Sequence, residues 1–355
     1  MTSLVHWLLS RLKVADALRH ALEKPVPLHR RWPFYLLGGA CLFLMSVQVL
    51  TGVLLALYYH PTPGGAHASV ARIMGEIPYG WLVRSVHARG ADLLVMFLLW
   101  HLVSTFFMRS YRPPRELTWI TGFAVLFLVL GFCFSGSLFP WDTFAYFATQ
   151  VGTQDIGTLP VVGEHLVKIV RGGEHVSADT LTRFYVAHVV LLPLAALALI
   201  GLHLLLVQQH GMSVPPGTPP GRWVPFYPHV AALDGVVWLL VLAVLAALAA
   251  CVPCGLGAQC DPLAPAPPGI RPEWYFTPVY ETLRLLPSRL LGLEGAAIGN
   301  VAFGLLTLFW LTVPFWDRAA HREESSSWVT LFGLATIAWC VGVTAYSYYR
   351  SWGAG

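Results

Sequence analysis

Four histidines define the chemistry open to this chain. His87 and His101 lie fourteen residues apart in the apolar segment WLVRSVHARGADLLVMFLLWHLVSTFFMR (81–109), and His188 and His203 lie fifteen apart in FYVAHVVLLPLAALALIGLHLLLV (184–207). Fourteen residues at about 100° each return a side chain to within roughly 40° of its starting face, and at ~1.5 Å per residue they separate the imidazoles by about 21 Å. Fifteen residues leave an offset of about 60° on an ideal helix. Laid side by side, the two segments oppose His87 to His188 and His101 to His203. An imidazole on each side of a flat macrocycle is the bis-histidine ligation of an electron-transfer haem, with both axial positions filled. Two such pairs at two depths imply two b-type haems. A lone histidine in an apolar helix more often bonds a neighbouring helix. Four at matched spacing are costly in hydrocarbon and mark function.

The elements that must position them are membrane helices. The chain is 56% hydrophobic and 11% charged over 355 residues, with a mean hydropathy of +0.62, which excludes an ordinary pair of soluble domains. The fold class is all-α, a polytopic membrane helix bundle. Seven spans are predicted, near 34–59, 81–109, 117–134, 184–209, 233–250, 298–315 and 328–346. Residues 1–33 read as an amphipathic surface segment, 34–210 as a four-helix dihaem-binding domain, 211–232 as a proline-rich cytoplasmic linker and 233–355 as a three-helix C-terminal domain. Arg109, Arg112 and Arg115 join the N-terminal cations on one side, which the positive-inside rule makes cytoplasmic. Met1 is read as the mature start. The net charge of +4 forms no nucleic-acid-binding stripe.

Two long connections fall on the opposite, outer side. The stretch 135–182 is too long for a passive loop, and a second runs from the fifth span to about residue 295. Gly38 and Gly52 in the first span, and Gly122 and Gly136 along the third, repeat the fourteen-residue interval of His87 and His101. Glycine permits close approach, so these two spans are expected to close the faces of the haem pockets. Cys251, Cys254 and Cys260 form CVPCGLGAQC with no histidine after the CxxC, so a disulfide is the favoured use rather than covalent haem attachment or a metal site.

With these segments in view, the chain resembles cytochrome b of the Rieske/cytochrome b complexes, which oxidise quinol and reduce a c-type cytochrome or plastocyanin. The resemblance rests on LVRSVH at 82–87, PRELTWITG at 114–122, SLFPWD at 137–142, TLTRFYVAH at 180–188 and above all PEWY at 272–275, and it covers nearly the whole chain. The seven spans are similar to a fusion of the chloroplast-type four-helix cytochrome b with its three-helix partner subunit.

The resemblance implies an outer quinol-oxidation pocket formed by Pro272, Glu273, Trp274 and Tyr275 beside the haem of His87 and His188, with Phe139, Pro140 and Trp141 as another wall. Glu273 would accept a proton from quinol, and Arg84 would pair with a haem propionate. Asp234 would deliver protons at an inner quinone-reduction site, with His210 as a candidate quinone contact. Implied partners are a Rieske iron–sulfur protein, a c-type cytochrome or soluble acceptor, quinone, the lipid bilayer and a second copy of the complex; the location is an energy-transducing membrane, the bacterial inner membrane. Leu36 stands where the photosynthetic branch has a haem-tethering cysteine, so no covalent haem is expected. Ser104 stands where relatives often carry arginine. Asp92, a charge between the two ligands of its helix, has no assigned role. An electron-relay anchor without a bifurcating site and a non-redox transporter are the competing readings, and PEWY together with the long connection at 135–182 argues against the first.

Overall fold

The computed structural model describes Trp7, Arg11 and residues 22–219, 221–290, 292–318 and 326–352; the predicted amphipathic segment lies largely outside these. Seven helices are long and apolar enough to cross a membrane, and no more than 28% of any of their most apolar windows is buried inside the chain. Leu50, Leu197 and Leu239 are 64%, 75% and 67% exposed. In water such a surface would drive aggregation, so its natural solvent is lipid.

The first span is α1 (Leu36–Ala56), entered through a 3-10 turn at Trp32–Tyr35. A short outer helix, α2 (Ala66–Gly75), leads to α3 (Gly80–Phe107), which carries His87 and His101. Then follows α4 (Glu116–Gly136). The long outer connection is itself helical, with α5 (Thr143–Gly157) and α6 (Gly163–Arg171). Asp142 caps α5 by accepting from the Ala145 amide at 2.9 Å, and its other oxygen accepts from the Gly257 amide at 3.0 Å. One carboxylate thereby ties together the two outer connections.

The fourth span begins earlier than the sequence suggests. A capping box of Ser177 and Thr180 starts α7 (Ala178–Val186), which continues through a π-turn at Ala187–Leu191 into α8 (Leu192–His210). The remaining spans are α9 (Ala231–Cys251), α11 (Gly295–Trp316) and α12 (Ser327–Trp352), with α10 (Thr277–Leu285) lying in the outer connection after PEWY. The predicted linker 211–232 is partly ordered: β2 (Trp223–Pro225) pairs antiparallel with β1 (Pro25–Pro27) at the inner end.

One core runs through the middle of the bundle. Ala40 and Leu44 of α1, Val95 of α3, Val129 of α4 and Leu245 of α9 are buried in a single cluster, so the first helix of the three-helix part packs directly onto the four-helix part. At the inner end Arg109 lies 3.3 Å from Asp317, with 5% and none of their side chains exposed. Arg109 also donates to the Ser326 carbonyl and the Thr330 hydroxyl, and Tyr111 donates to Asp317 at 2.6 Å. Arg109, one of the cations that mark one side of the bundle in the sequence, is a buried tie between the two halves.

Candidate functional site

The rings of His87 and His188 lie with centroids 6.4 Å apart and their planes inclined at 61°. One metal between them, at about 2 Å from each nitrogen with each ring centre roughly 1 Å behind, needs about 6 Å. The fifteen-residue offset is resolved by the π-turn, which holds His188 and accommodates one extra residue before His203. The helix then behaves as though the interval were fourteen.

Hydroxyl groups fix the tautomers. Nδ1 of His87, His188 and His203 lies 2.9, 3.0 and 3.0 Å from the hydroxyls of Thr51, Ser135 and Thr121. Each hydroxyl donates its own proton to a carbonyl one turn back, of Val47, Gly131 and Leu117, and so can only accept from the imidazole. The proton therefore sits on Nδ1 and the Nε2 lone pair is free, which is the state a metal ligand requires. Nδ1 of His101 is the exception, being buried with no partner among the described residues.

Each imidazole edge is seated on a glycine. A Cβ built on Gly38, Gly52, Gly122 or Gly136 would lie 3.4, 3.3, 2.9 or 2.8 Å from Cε1 of His101, His87, His203 or His188. The four glycines thus back the histidine rings rather than an open wall. Among the described residues no group of three or more His, Cys, Asp or Glu could hold a bare metal ion. Paired imidazole nitrogens with no further protein ligand would suit an iron whose remaining ligands come from a macrocycle, and the spacing of the outer pair fits a haem.

An apolar cavity of about 1810 Å³ opens beside the outer pair, lined by His87, His188, Phe139, Pro140, Glu273 and Tyr275 among others. Pro272 and Arg84 also line it, while Trp141 and Trp274 do not. Trp141 is buried against Tyr146 and Cys260 instead, and Trp274 donates its indole N–H to Asp92 at 3.2 Å. Burial, and then the charge of Asp92, push the Glu273 carboxyl above the usual carboxylate range, against an opposing pull from Arg89. Burial likewise drives the Tyr275 phenol far upward, so it remains a hydrogen-bond donor. Arg84 Nη1 donates to the carbonyls of Cys254 and Gly255, both at 2.9 Å, leaving other guanidinium N–H groups for an anion in the cavity. The three nearby cysteines are unbridged, contrary to the expected disulfide.

The inner candidates fall in different surroundings. Oδ1 of Asp234 is buried against Gly39 of α1 with no hydrogen-bond partner among the described residues. His210 lines a separate polar pocket of about 560 Å³ with Lys24 and Arg115. Burial and then Arg115 lower the Lys24 ammonium to about 8. Among the described residues the Ser104 hydroxyl donates to the His101 carbonyl one turn back. The supporting hydroxyls Thr51, Thr121 and Ser135 escaped sequence reasoning, although each immediately precedes one of the spaced glycines. Gly38 is preceded by Leu37, and it is His101, seated on Gly38, whose Nδ1 has no partner among the described residues.

Residues 22–211 match the family model described as cytochrome b/b6/petB, and residues 259–349 match cytochrome b(C-terminal)/b6/petD. The chain belongs to the cytochrome b/b6 family. It is 43% identical over 343 residues to the cytochrome bc complex cytochrome b subunit of Chlorobaculum thiosulfatiphilum, covering 96% of this chain and 78% of that protein. It is 40% identical to cytochrome b6 of Heliobacterium mobile over 59% of this chain and all of that one. A solved hyperthermophilic respiratory Complex III chain superposes with a TM-score of 0.82 at 29% identity, covering 97% of this cytochrome b and 91% of that chain. A cytochrome b6 whose whole length covers 59% of this chain, and a longer relative that covers 96% of it, fit the fused four-plus-three arrangement.

Proposed function

We propose that this cytochrome b oxidises quinol at the outer cavity and passes electrons inward through two non-covalent b haems, held by His87 with His188 and by His101 with His203. The observation that carries this reading is that the outer imidazole pair, Glu273 and Tyr275 line one apolar cavity, large enough for more than one planar ligand. When bound, the haems supply one-electron redox chemistry. The protein supplies the rest: glycines that seat the imidazoles, hydroxyls that fix their tautomers, a dry cavity, and a carboxylate that takes a proton as quinol is oxidised. A raised carboxyl is a competent acceptor because it can hold the proton before releasing it to the outer phase. Arg84 is positioned to meet an anionic haem substituent, and Tyr275 to donate to a quinol oxygen.

A Rieske iron–sulfur partner at the outer side and a c-type or soluble acceptor beyond it complete the reaction, in a homodimeric complex of the bacterial inner membrane with its N-terminus cytoplasmic. Quinone reduction falls at the inner end, where Asp234 is a half-buried carboxylate with one buried oxygen and His210 borders a polar pocket. Adding quinol to membranes that contain the complex tests this reading: b-haem absorbance should show reduction. A b-haem signal that dithionite reduces but quinol does not would contradict it.

A further inference from the structure

A carboxylate inside a membrane helix is expensive and needs a reason. Asp92 lies on α3 five residues after His87 and lines the same cavity as Glu273. Both its oxygens have partners: Oδ1 accepts from Trp274 Nε1 at 3.2 Å, and Oδ2 forms an ion pair with Arg89 Nη1 at 3.6 Å. Arg89 is held in turn by the Val252 carbonyl at 3.1 Å. Trp274 sits in a tight turn, closed by the Phe276 amide donating to the Glu273 carbonyl at 2.9 Å. Its two neighbours in sequence, Glu273 and Tyr275, both line the cavity.

We propose that Asp92 is a positioning residue of the outer site, fixing the PEWY turn to the helix that carries His87 and setting, through its charge, how readily Glu273 ionises. The second half rests on the reading of Glu273 as proton acceptor; the anchoring half does not. The groups facing Glu273 are Asp92 and Arg89 from α3, Tyr275 from its own turn and Cys133 from α4. The Asp92 carboxylate disfavours a second negative charge beside it, and Arg89 acts in the opposite direction.

The test uses the intact complex, matched for haem content, with kcat and KM for quinol measured across pH. Asp92→Asn keeps an oxygen for the indole but loses the charge, so KM should stay near that of wild type. With the repulsion gone and Arg89 unopposed, Glu273 ionises more readily and the acid limb of kcat should move to lower pH. Asp92→Ala and Trp274→Phe should each raise KM by about tenfold through loss of the same bond, and the double variant should be no worse than either. Multiplying KM effects in the double variant would overturn the anchoring. An Asp92→Asn profile coincident with wild type, while Glu273→Gln abolishes the acid limb, would overturn the electrostatic role. If Glu273→Gln keeps a wild-type limb, the proton-accepting reading and the electrostatic role fall together, and the KM coupling alone still decides the anchoring.

Discussion

Gly136 and His188 are in contact so close that a methyl group cannot be inserted: a Cβ on the glycine would lie 2.8 Å from Cε1 of the ring. Alanine normally improves a helix by up to about 1 kcal/mol over glycine. At Gly136 and at Gly122 that sign should reverse, because the backing imidazole must move. Gly136→Ala should lower occupancy of the outer haem, while Gly201→Ala, where nothing lies within 4 Å, should leave both haems in place. Haem content per chain after purification distinguishes the two.

The hydroxyl partners make a directional prediction about redox potential. An acceptor at Nδ1–H makes the imidazole a stronger base and favours the oxidised metal. Ser135→Ala should therefore raise the midpoint potential of the outer haem by up to about 60 mV, one tenfold change in differential affinity for one electron. Leu37→Thr offers His101 the hydroxyl that the other three ligands have and should lower the inner potential. Potentiometric titrations in which neither haem shifts would show that these hydrogen bonds leave the ligands unaffected.

Asp317 carries the junction of the two halves. Its carboxylate meets Arg109 and the Tyr111 hydroxyl in a fully buried site. Asp317→Ala strands the guanidinium and should cost about 3–5 kcal/mol. Thermal unfolding of the detergent-solubilised complex should then begin at a clearly lower temperature, and an unchanged transition would remove this ion pair as a determinant of stability.

The pH dependence of turnover follows from Glu273. Its folded carboxyl ionises above the ordinary range because of burial and the Asp92 charge, and only the ionised form accepts a proton. Activity should thus be lost as pH falls through this raised value, at higher pH than a solvated carboxylate near about 4.3 would give. Glu273→Gln should erase that limb and reduce turnover by as much as about a hundredfold. Stopped-flow quinol oxidation over a pH series provides the check.

Much of the fold was legible because lipid imposes a simple rule on sequence: seven long apolar runs can only be helices, and they are. The spacing of His87 and His101 likewise translates directly through helix geometry. What the sequence hid depends on local departures and on partners far along the chain. The π-turn at Ala187–Leu191 hides in an apolar run with no breaker, so the fifteen-residue interval looked like a mismatch. Trp274, the partner that gives Asp92 its role, and Ser326, an acceptor of Arg109, lie 182 and 217 residues away, beyond any periodicity. Trp141 carries the same motif signal as Phe139 and Pro140, yet it turns into the outer core with a left-handed backbone at φ 49.

The central claim is that two histidine pairs each hold one haem. Acid-acetone extraction of the purified complex, quantified against this chain, measures it directly. Wild type should yield two extractable b haems per chain. His203→Leu should yield one, with the low-spin spectrum of the remaining haem intact, because His87 and His188 are unchanged. Two unaltered low-spin b haems in His203→Leu would contradict the ligation scheme.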